Sequence, residues 1–297
     1  MGNAEHRGNQ VKQLDVTMVD AGGGEILDAS SSRDQGVGNK AFPSLIGDLR
    51  HEYRANWFFL LETHVCGTRG NQIRDKMGFD KSFVVDAVGH AGEIWCLWDS
   101  SVWSVDVLEH DTQFVHLRVS GNNSTPWLIT AVYGSPQWVT RRLLWHSFKS
   151  YAANVNLSWC LLGGFNSMLH NHEKSGGELS SNQSDCKEFQ DCVSTCGLVE
   201  LGFTGWTYTW KKGNLAKRLD RGLSNLDWQI AFPETFIKHM PMLKSDHSPI
   251  CLQLSPVSSQ NRGRRPFRFL WHGLLTLILG MLLMRLTMFR TPGLRAY

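Results

Sequence analysis

Residues 41–257 alternate short, wholly apolar runs with longer stretches of helical spacing, and this predicts an α/β domain in which sheet dominates. The apolar runs, such as Trp57-Phe58-Phe59-Leu60-Leu61, are too short for a buried helix and rich in aromatic or branched residues. Gly, Asn, Ser and Pro separate them, as turns require. In chain order, 41–53 has helical spacing and 57–61 reads as a buried strand. Ranges 94–98, 102–108, 114–119, 127–133 and 159–162 read as further strands on the same grounds. Helices are predicted at 141–154 and 184–196, the second opened by the polar run Asn182-Gln183-Ser184. Strands at 207–210 and 249–254 complete the domain.

The flanks differ in composition. Residues 1–40 are rich in Gly, Asp, Asn and Ser without apolar periodicity and read as a disordered leader. Residues 258–297 open with the basic series Arg262, Arg264, Arg265 and Arg268, then become apolar over 270–289, interrupted by His272 and Arg285. They read as a tail outside the fold; a bilayer span, which needs about 20 mainly apolar residues, is not expected. Over the 297 residues, 42% are hydrophobic, enough for a sizeable core. The net charge of +3 permits a polyanionic partner without requiring one. The seven cysteines lack CxxC spacing and no signal segment opens the chain, so structural thiols in a reducing interior are expected. Cys186, Cys192 and Cys196 with His170 and His172 match no usual zinc-finger spacing.

The chemistry concentrates in two places. Glu62 follows the 57–61 strand and so stands at a strand's carboxyl end, where sites in α/β folds gather. A single carboxylate, completed by waters and phosphate oxygens, suits the hard ion Mg²⁺. Ser245-Asp246-His247-Ser248 puts a carboxylate beside an imidazole just before the last strand. Such a pair fixes the imidazole tautomer and stabilises its cation during proton transfer. An acid and an Asp-His pair are what metal-assisted phosphodiester cleavage requires. The tryptophans Trp95, Trp98, Trp206 and Trp210 read mostly as core.

Six segments then occur in order: Leu61-Glu62-Thr63-His64, 92–99 (Gly-Glu-Ile-Trp-Cys-Leu-Trp-Asp), 131–136 (Ala-Val-Tyr-Gly-Ser-Pro), Gly163-Gly164-Phe165-Asn166, Arg218-Leu219-Asp220-Arg221 and 245–250 (Ser-Asp-His-Ser-Pro-Ile). Over 41–257 the chain resembles the endonuclease/exonuclease/phosphatase family, and more narrowly the endonuclease domain of plant non-LTR (LINE-type) retrotransposons. The resemblance implies a DNase I-like, four-layer sandwich of two mixed β-sheets flanked by helices. It implies Glu62 as the ligand of Mg²⁺ (or Mn²⁺), and His247, oriented by Asp246, as the acid/base. By the same resemblance Tyr133 and Asn166 contact the scissile phosphate and Asp220 supports the site. Thr209 and Ser245 are expected to line a DNA phosphate channel, and Arg218, Arg221 and Lys217 to attract the DNA backbone. A DNA substrate in turn implies a nuclear location.

Two departures qualify the resemblance. Gly164 stands where the family's Gly-Asp-Phe-Asn motif carries an aspartate that handles the attacking water, a group whose loss costs on the order of 10²- to 10⁴-fold. The family's first strand, which ends in Trp-Asn and supplies a metal-site Asn, has no counterpart. Asp15-Val16-Thr17-Met18-Val19-Asp20 is the segment that could take its place, without that Asn. The Arg265-Pro266-Phe267-Arg268-Phe269-Leu270 run resembles the connector towards a reverse transcriptase, which does not follow. The expectation is therefore a Mg²⁺-dependent DNA endonuclease of retroelement origin, impaired by Gly164. A catalytically dead nucleic-acid-binding remnant and a phosphatase of the same superfamily are the alternatives.

Overall fold

The structure, a computed structural model, describes residues 15–20, 37, 41–86, 93–121, 125–177, 183–242 and 245–254. The tail beyond Leu254, with its basic and apolar runs, lies outside the described residues, as does most of 1–40. Among the described residues no helix is long and apolar enough to cross a membrane.

Two large sheets carry the domain. The first runs β11 (Phe203–Thr204), β15 (Phe236–His239), β16 (Ile250–Gln253), β1 (Asp15–Asp20), β2 (Trp57–Leu61), β4 (Ile94–Trp98), β3 (Lys81–Val85). The second runs β10 (Val199–Glu200), β14 (Asp220–Ser224), β8 (Trp159–Gly164), β7 (Trp127–Tyr133), β6 (Phe114–Ser120), β5 (Ser104–Asp111). Both are mixed: β1 lies parallel to β2 and β7 parallel to β8, among antiparallel neighbours. A small third sheet joins β12 (Trp210–Lys212), β13 (Leu215–Lys217) and β9 (Lys174–Ser175).

Alternation along the strands builds the layers, because successive side chains leave opposite faces. In β2, Trp57, Phe59 and Leu61 join β7 residues Trp127, Ile129, Ala131 and Tyr133 in one buried cluster between the sheets. Phe58 and Leu60 point the other way, into a cluster with Phe42, Ile46 and Leu49 of α1 (Phe42–Tyr53). On the far side, Leu128, Val132 and Leu161 pack against Leu144, Trp145 and Phe148 of α3 (Trp138–Ala152) and Phe189 of α4 (Gln183–Thr195). Every residue of β2 is thus buried, on one face or the other, as a strand covered on both faces demands. The result is helix, sheet, sheet, helix: the four layers expected.

Local signals set the element ends. Pro43 falls in the first turn of α1, where its missing N–H is not needed, and Arg54 caps its end in the left-handed region. Helix α5 (Leu226–Ala231) is N-capped by Asn225, whose side chain accepts from Trp228 N at 3.0 Å. Helix α2 (Gly67–Asp75) and the edge strand β3 escape prediction: the first has little apolar content and the second a charged start. The strand read at 207–210 begins only at Trp210.

Asp15–Asp20, inside the stretch read as a disordered leader, forms β1. It pairs antiparallel with β16 and parallel with β2, joining two three-stranded halves of the first sheet. Composition hides it, because one short strand sits among Gly- and Ser-rich neighbours. Deleting residues 1–20 strips β2 and β16 of their hydrogen-bonding partner and leaves two sheet edges in the middle of the fold. The truncated chain is expected to lose its cooperative thermal transition. Melting within a few degrees of the full chain would show instead that β2 and β16 close up without β1.

Candidate active site

The carboxyl ends of β2, β7 and β8 gather the first half of the site. Glu62 follows β2 directly with φ +50°, its N–H donating to Glu93 O at 3.1 Å. Tyr133 ends β7, and its hydroxyl donates to Glu62 Oε1. Asn166 lies two residues past β8 with φ +48°, and its Nδ2 donates to Gly134 O at 2.7 Å. The amide keeps a second N–H that a phosphate oxygen could receive. Among non-glycine residues only Arg54, Glu62, His64 and Asn166 have left-handed φ in the described residues. Three of these four belong to the Leu-Glu-Thr-His and Gly-Gly-Phe-Asn segments. Such conformations cost free energy and gather at functional sites, so they point here independently of any motif.

The second half is a His-Asp dyad. His247 sits in an extended bridge opposite Trp210, and its Nδ1 lies 2.9 Å from Asp220 Oδ2. A carboxylate only accepts, so Nδ1 carries the proton and the ring's lone pair is on Nε2. The Asp220 side chain is fully buried and that of His247 is 11% exposed. Asp220 is thus the orienting acid, which corrects the expectation for Asp246. Neighbours in extended chain diverge, and Asp246 Oδ2 instead accepts the Trp210 indole N–H at 2.9 Å. Trp210 reads as core from sequence but serves this site. Nothing local to either residue signals the pairing, which depends on the bridge.

Other assignments change for equally physical reasons. Thr209 is fully buried, and its Oγ1 accepts the N–H groups of Leu219 and Asp220, both at 3.0 Å. It therefore fixes the start of β14 and does not line a channel. Ser245 Oγ accepts from His247 N at 3.1 Å, bracing the dyad from within its own segment. Arg218 and Arg221 are buried, 5% and 1% exposed, and face Glu173 and Glu200 instead of solvent. Buried charges require partners, and this neutral quartet supplies them. Lys217 packs over the Trp210 ring, 5.6 Å from its centroid; burial and then Lys174 hold its ammonium below the ordinary lysine range.

Gly163 and Gly164 differ in what they can tolerate. A Cβ on Gly163 would lie 2.0 Å from Val132 O, so the close approach of β7 and β8 requires glycine. A Cβ on Gly164 would meet only Asp220 Oδ1 at 3.0 Å and Leu61 Cδ1 at 3.9 Å. Gly164 and Asp220 are register partners across β8 and β14, which is why they face each other. Gly164 therefore lies between the residue before Glu62 and the dyad acid, with room for a side chain. Asp220 Oδ1, buried beside it, accepts no hydrogen bond among the described residues.

No protein-family model matches the sequence, and no curated protein does. Solved structures do match. The endonuclease domain of TRAS1, a telomere-specific non-LTR retrotransposon, is 13% identical with TM-score 0.55, over 84% of this chain and 100% of that one. The AP endonuclease LMAP from Leishmania major is 13% identical with TM-score 0.60, covering 81% and 87%. A mannosyl-6-phosphatase from Bacteroides thetaiotaomicron is 14% identical with TM-score 0.51, covering 80% and 98%. Nucleases and phosphatases alike share this architecture, and the resemblance read from the six motifs is matched by the backbone: the chain has the DNase I-like fold of the endonuclease/exonuclease/phosphatase family.

Proposed function

We propose that the chain is a DNA-directed phosphodiesterase of retroelement origin whose turnover is reduced by Gly164. The observation that carries this is the strand register: Tyr133, which holds Glu62, and Asp220, which holds His247, are the register partners of Gly164 on either side of β8. Asp220 holds His247 so that Nε2 can take or give a proton as water adds to phosphorus and the P–O bond breaks, and its charge stabilises the imidazolium. Asn166 presents an N–H donor to the phosphate, while the Tyr133 hydroxyl holds the Glu62 carboxylate in place. Mg²⁺ takes one or two carboxylates plus water and phosphate oxygens, and Glu62, whose Oε1 the Tyr133 hydroxyl orients, fits that donor chemistry. Glu62 would hold the ion. Bound there, Mg²⁺ supplies stabilisation of charge on the phosphate or leaving oxygen.

The six motifs favour a retroelement nuclease, and a DNA substrate favours a nuclear location. The decisive assay is nicking of supercoiled plasmid with Mg²⁺, run beside hydrolysis of phosphoinositides. Nicking that Glu62→Ala abolishes supports the proposal; hydrolysis of the phosphoinositides alone turns it over to the phosphatase reading. Gly164 and the absence of Asn from β1 favour a second reading, a nucleic-acid-binding remnant. Its signature is DNA binding with neither hydrolysis.

A further inference from the structure

An aromatic groove opens on the hairpin that carries Trp210. Its volume is about 620 Å³, and Trp206, Tyr208, Met242, Lys211 and Ser248 line it. Lys211, Ala216 and Ser175 are register partners across β12, β13 and β9, so they share the sheet face that lines the groove. Trp210, which holds Asp246, neighbours Lys211 and so leaves the opposite face.

Trp206 is 68% exposed and Met242 is 37% exposed, and both line the groove. The Trp206 backbone is nevertheless fixed. A Cβ on the preceding Gly205 would lie 2.3 Å from His239 O, so the chain presses against β15 there. Its carbonyl accepts from Nδ1 of His239, at 2.6 Å, and that imidazole is buried and stacked on Phe203 at 4.4 Å. A rigid main chain therefore presents a bare indole face.

The lining identifies the occupant. It includes Lys211 and no carboxylate, so the charge suits a polyanion. Flat aromatic groups beside a lysine suit the unpaired bases of a single strand, since every base offers a π-face. Paired bases in a duplex are already stacked and do not. Ser248, which lines the groove, belongs to the same chain segment as His247.

We propose that this groove binds an unpaired, single-stranded stretch of nucleic acid, with a base stacked on Trp206. Gapped or flapped DNA is then preferred to intact duplex. The proposal rests on the phosphodiesterase reading for its choice of ligand, but binding tests it without cleavage.

The test uses the full chain in EDTA, with fluorescence anisotropy of a labelled single-stranded oligonucleotide and of a blunt duplex of the same sequence. Trp206→Ala is expected to weaken single-strand binding on the order of 10-fold and duplex binding hardly at all. Trp206→Phe should restore most of the loss, and an unchanged melting temperature shows that the fold is intact. Equal single-strand affinity for wild type and Trp206→Ala overturns the proposal. A parallel loss for both DNAs also overturns it, because the groove would then recognise the phosphate chain and no base. If single-strand binding depends on Trp206 while no variant nicks plasmid, the groove stands and the hydrolytic reading falls. If plasmid is nicked and Trp206→Ala binds as wild type, the reverse holds.

Discussion

Gly164→Asp is expected to raise Mg²⁺-dependent nicking of supercoiled plasmid by on the order of 10²- to 10⁴-fold, the usual value of a positioned acid or base. Glu62→Ala in the same chain should remove that gain. The backbone can accept the change, because β8 at residue 164 demands no glycine, unlike the preceding residue. The one tight neighbour is Asp220 Oδ1, 3.0 Å from the new Cβ, so that carboxylate must give by a few tenths of an ångström. The new carboxylate then faces Asp220 across β8 and β14, where it can take a proton from water.

Gly164→Asn separates charge from shape. Its amide could donate to Asp220 Oδ1, which has no partner among the described residues, and so stabilise the fold by about 1 kcal/mol. It carries no base and should leave nicking where the wild type has it. Equal gains from Asn and Asp would show that the position acts by filling space. No gain from either, with both variants folded, would move the deficit to β1, which lacks the Asn expected of the first strand.

The architecture was legible wherever burial imposes a local pattern. Trp57–Leu61, Ile94–Trp98 and Trp127–Tyr133 are wholly apolar or nearly so because both their faces are covered, and the strands match the readings residue for residue. Glu62 was legible because it follows an apolar strand; Tyr133 and Asn166 were marked by the resemblance alone, since one looks like any strand aromatic and the other like any turn residue. What failed depended on pairing across the chain. Arg218 and Arg221 lie in a polar motif and read as surface cations, since Glu173 sits 45 and 48 residues away from them and carries no local mark. Asp246 beside His247 looks like a partner in one dimension, yet the extended backbone turns it to Trp210 and brings Asp220 in from 27 residues away. Trp206 looks like its three core-like companions, and only the packing of Gly205 on His239 turns it outward.

The buried quartet makes the largest prediction for stability. Glu173 is 1% exposed; its Oε2 accepts from Arg221 Nη2 at 2.7 Å and from Leu169 N at 2.8 Å, while Oε1 faces Arg218. Glu173→Gln keeps the volume but leaves two buried guanidinium groups with Glu200 alone. Breaking such a group by removing one member costs about 3–5 kcal/mol. Asp106→Asn, at an ion pair with Arg118 whose side chains are 48% and 55% exposed, should cost under about 1 kcal/mol. Chemical denaturation of the two variants measures the contrast, and equal costs would mean that the quartet is solvated in the folded protein.

Acid should reveal the same interaction. Burial alone pushes the Glu173 carboxyl up, but Arg221, by hydrogen bond and charge, and Arg218 outweigh it and bring it down to about 2 from an ordinary 4.5. A carboxylate depressed on folding stabilises above its unfolded pKa and loses that contribution as pH falls through the folded one. The gap between wild type and Glu173→Gln should thus be full above about pH 4.5 and shrink towards pH 2. A gap that stays constant across that window would show that titration of the Glu173 carboxyl does not set the difference. Because Arg218 and Arg221 flank Asp220 in sequence, the same loss of charge should loosen the dyad. Any nicking gained from Gly164→Asp should therefore fall when Glu173→Gln is added, under conditions where both chains remain folded.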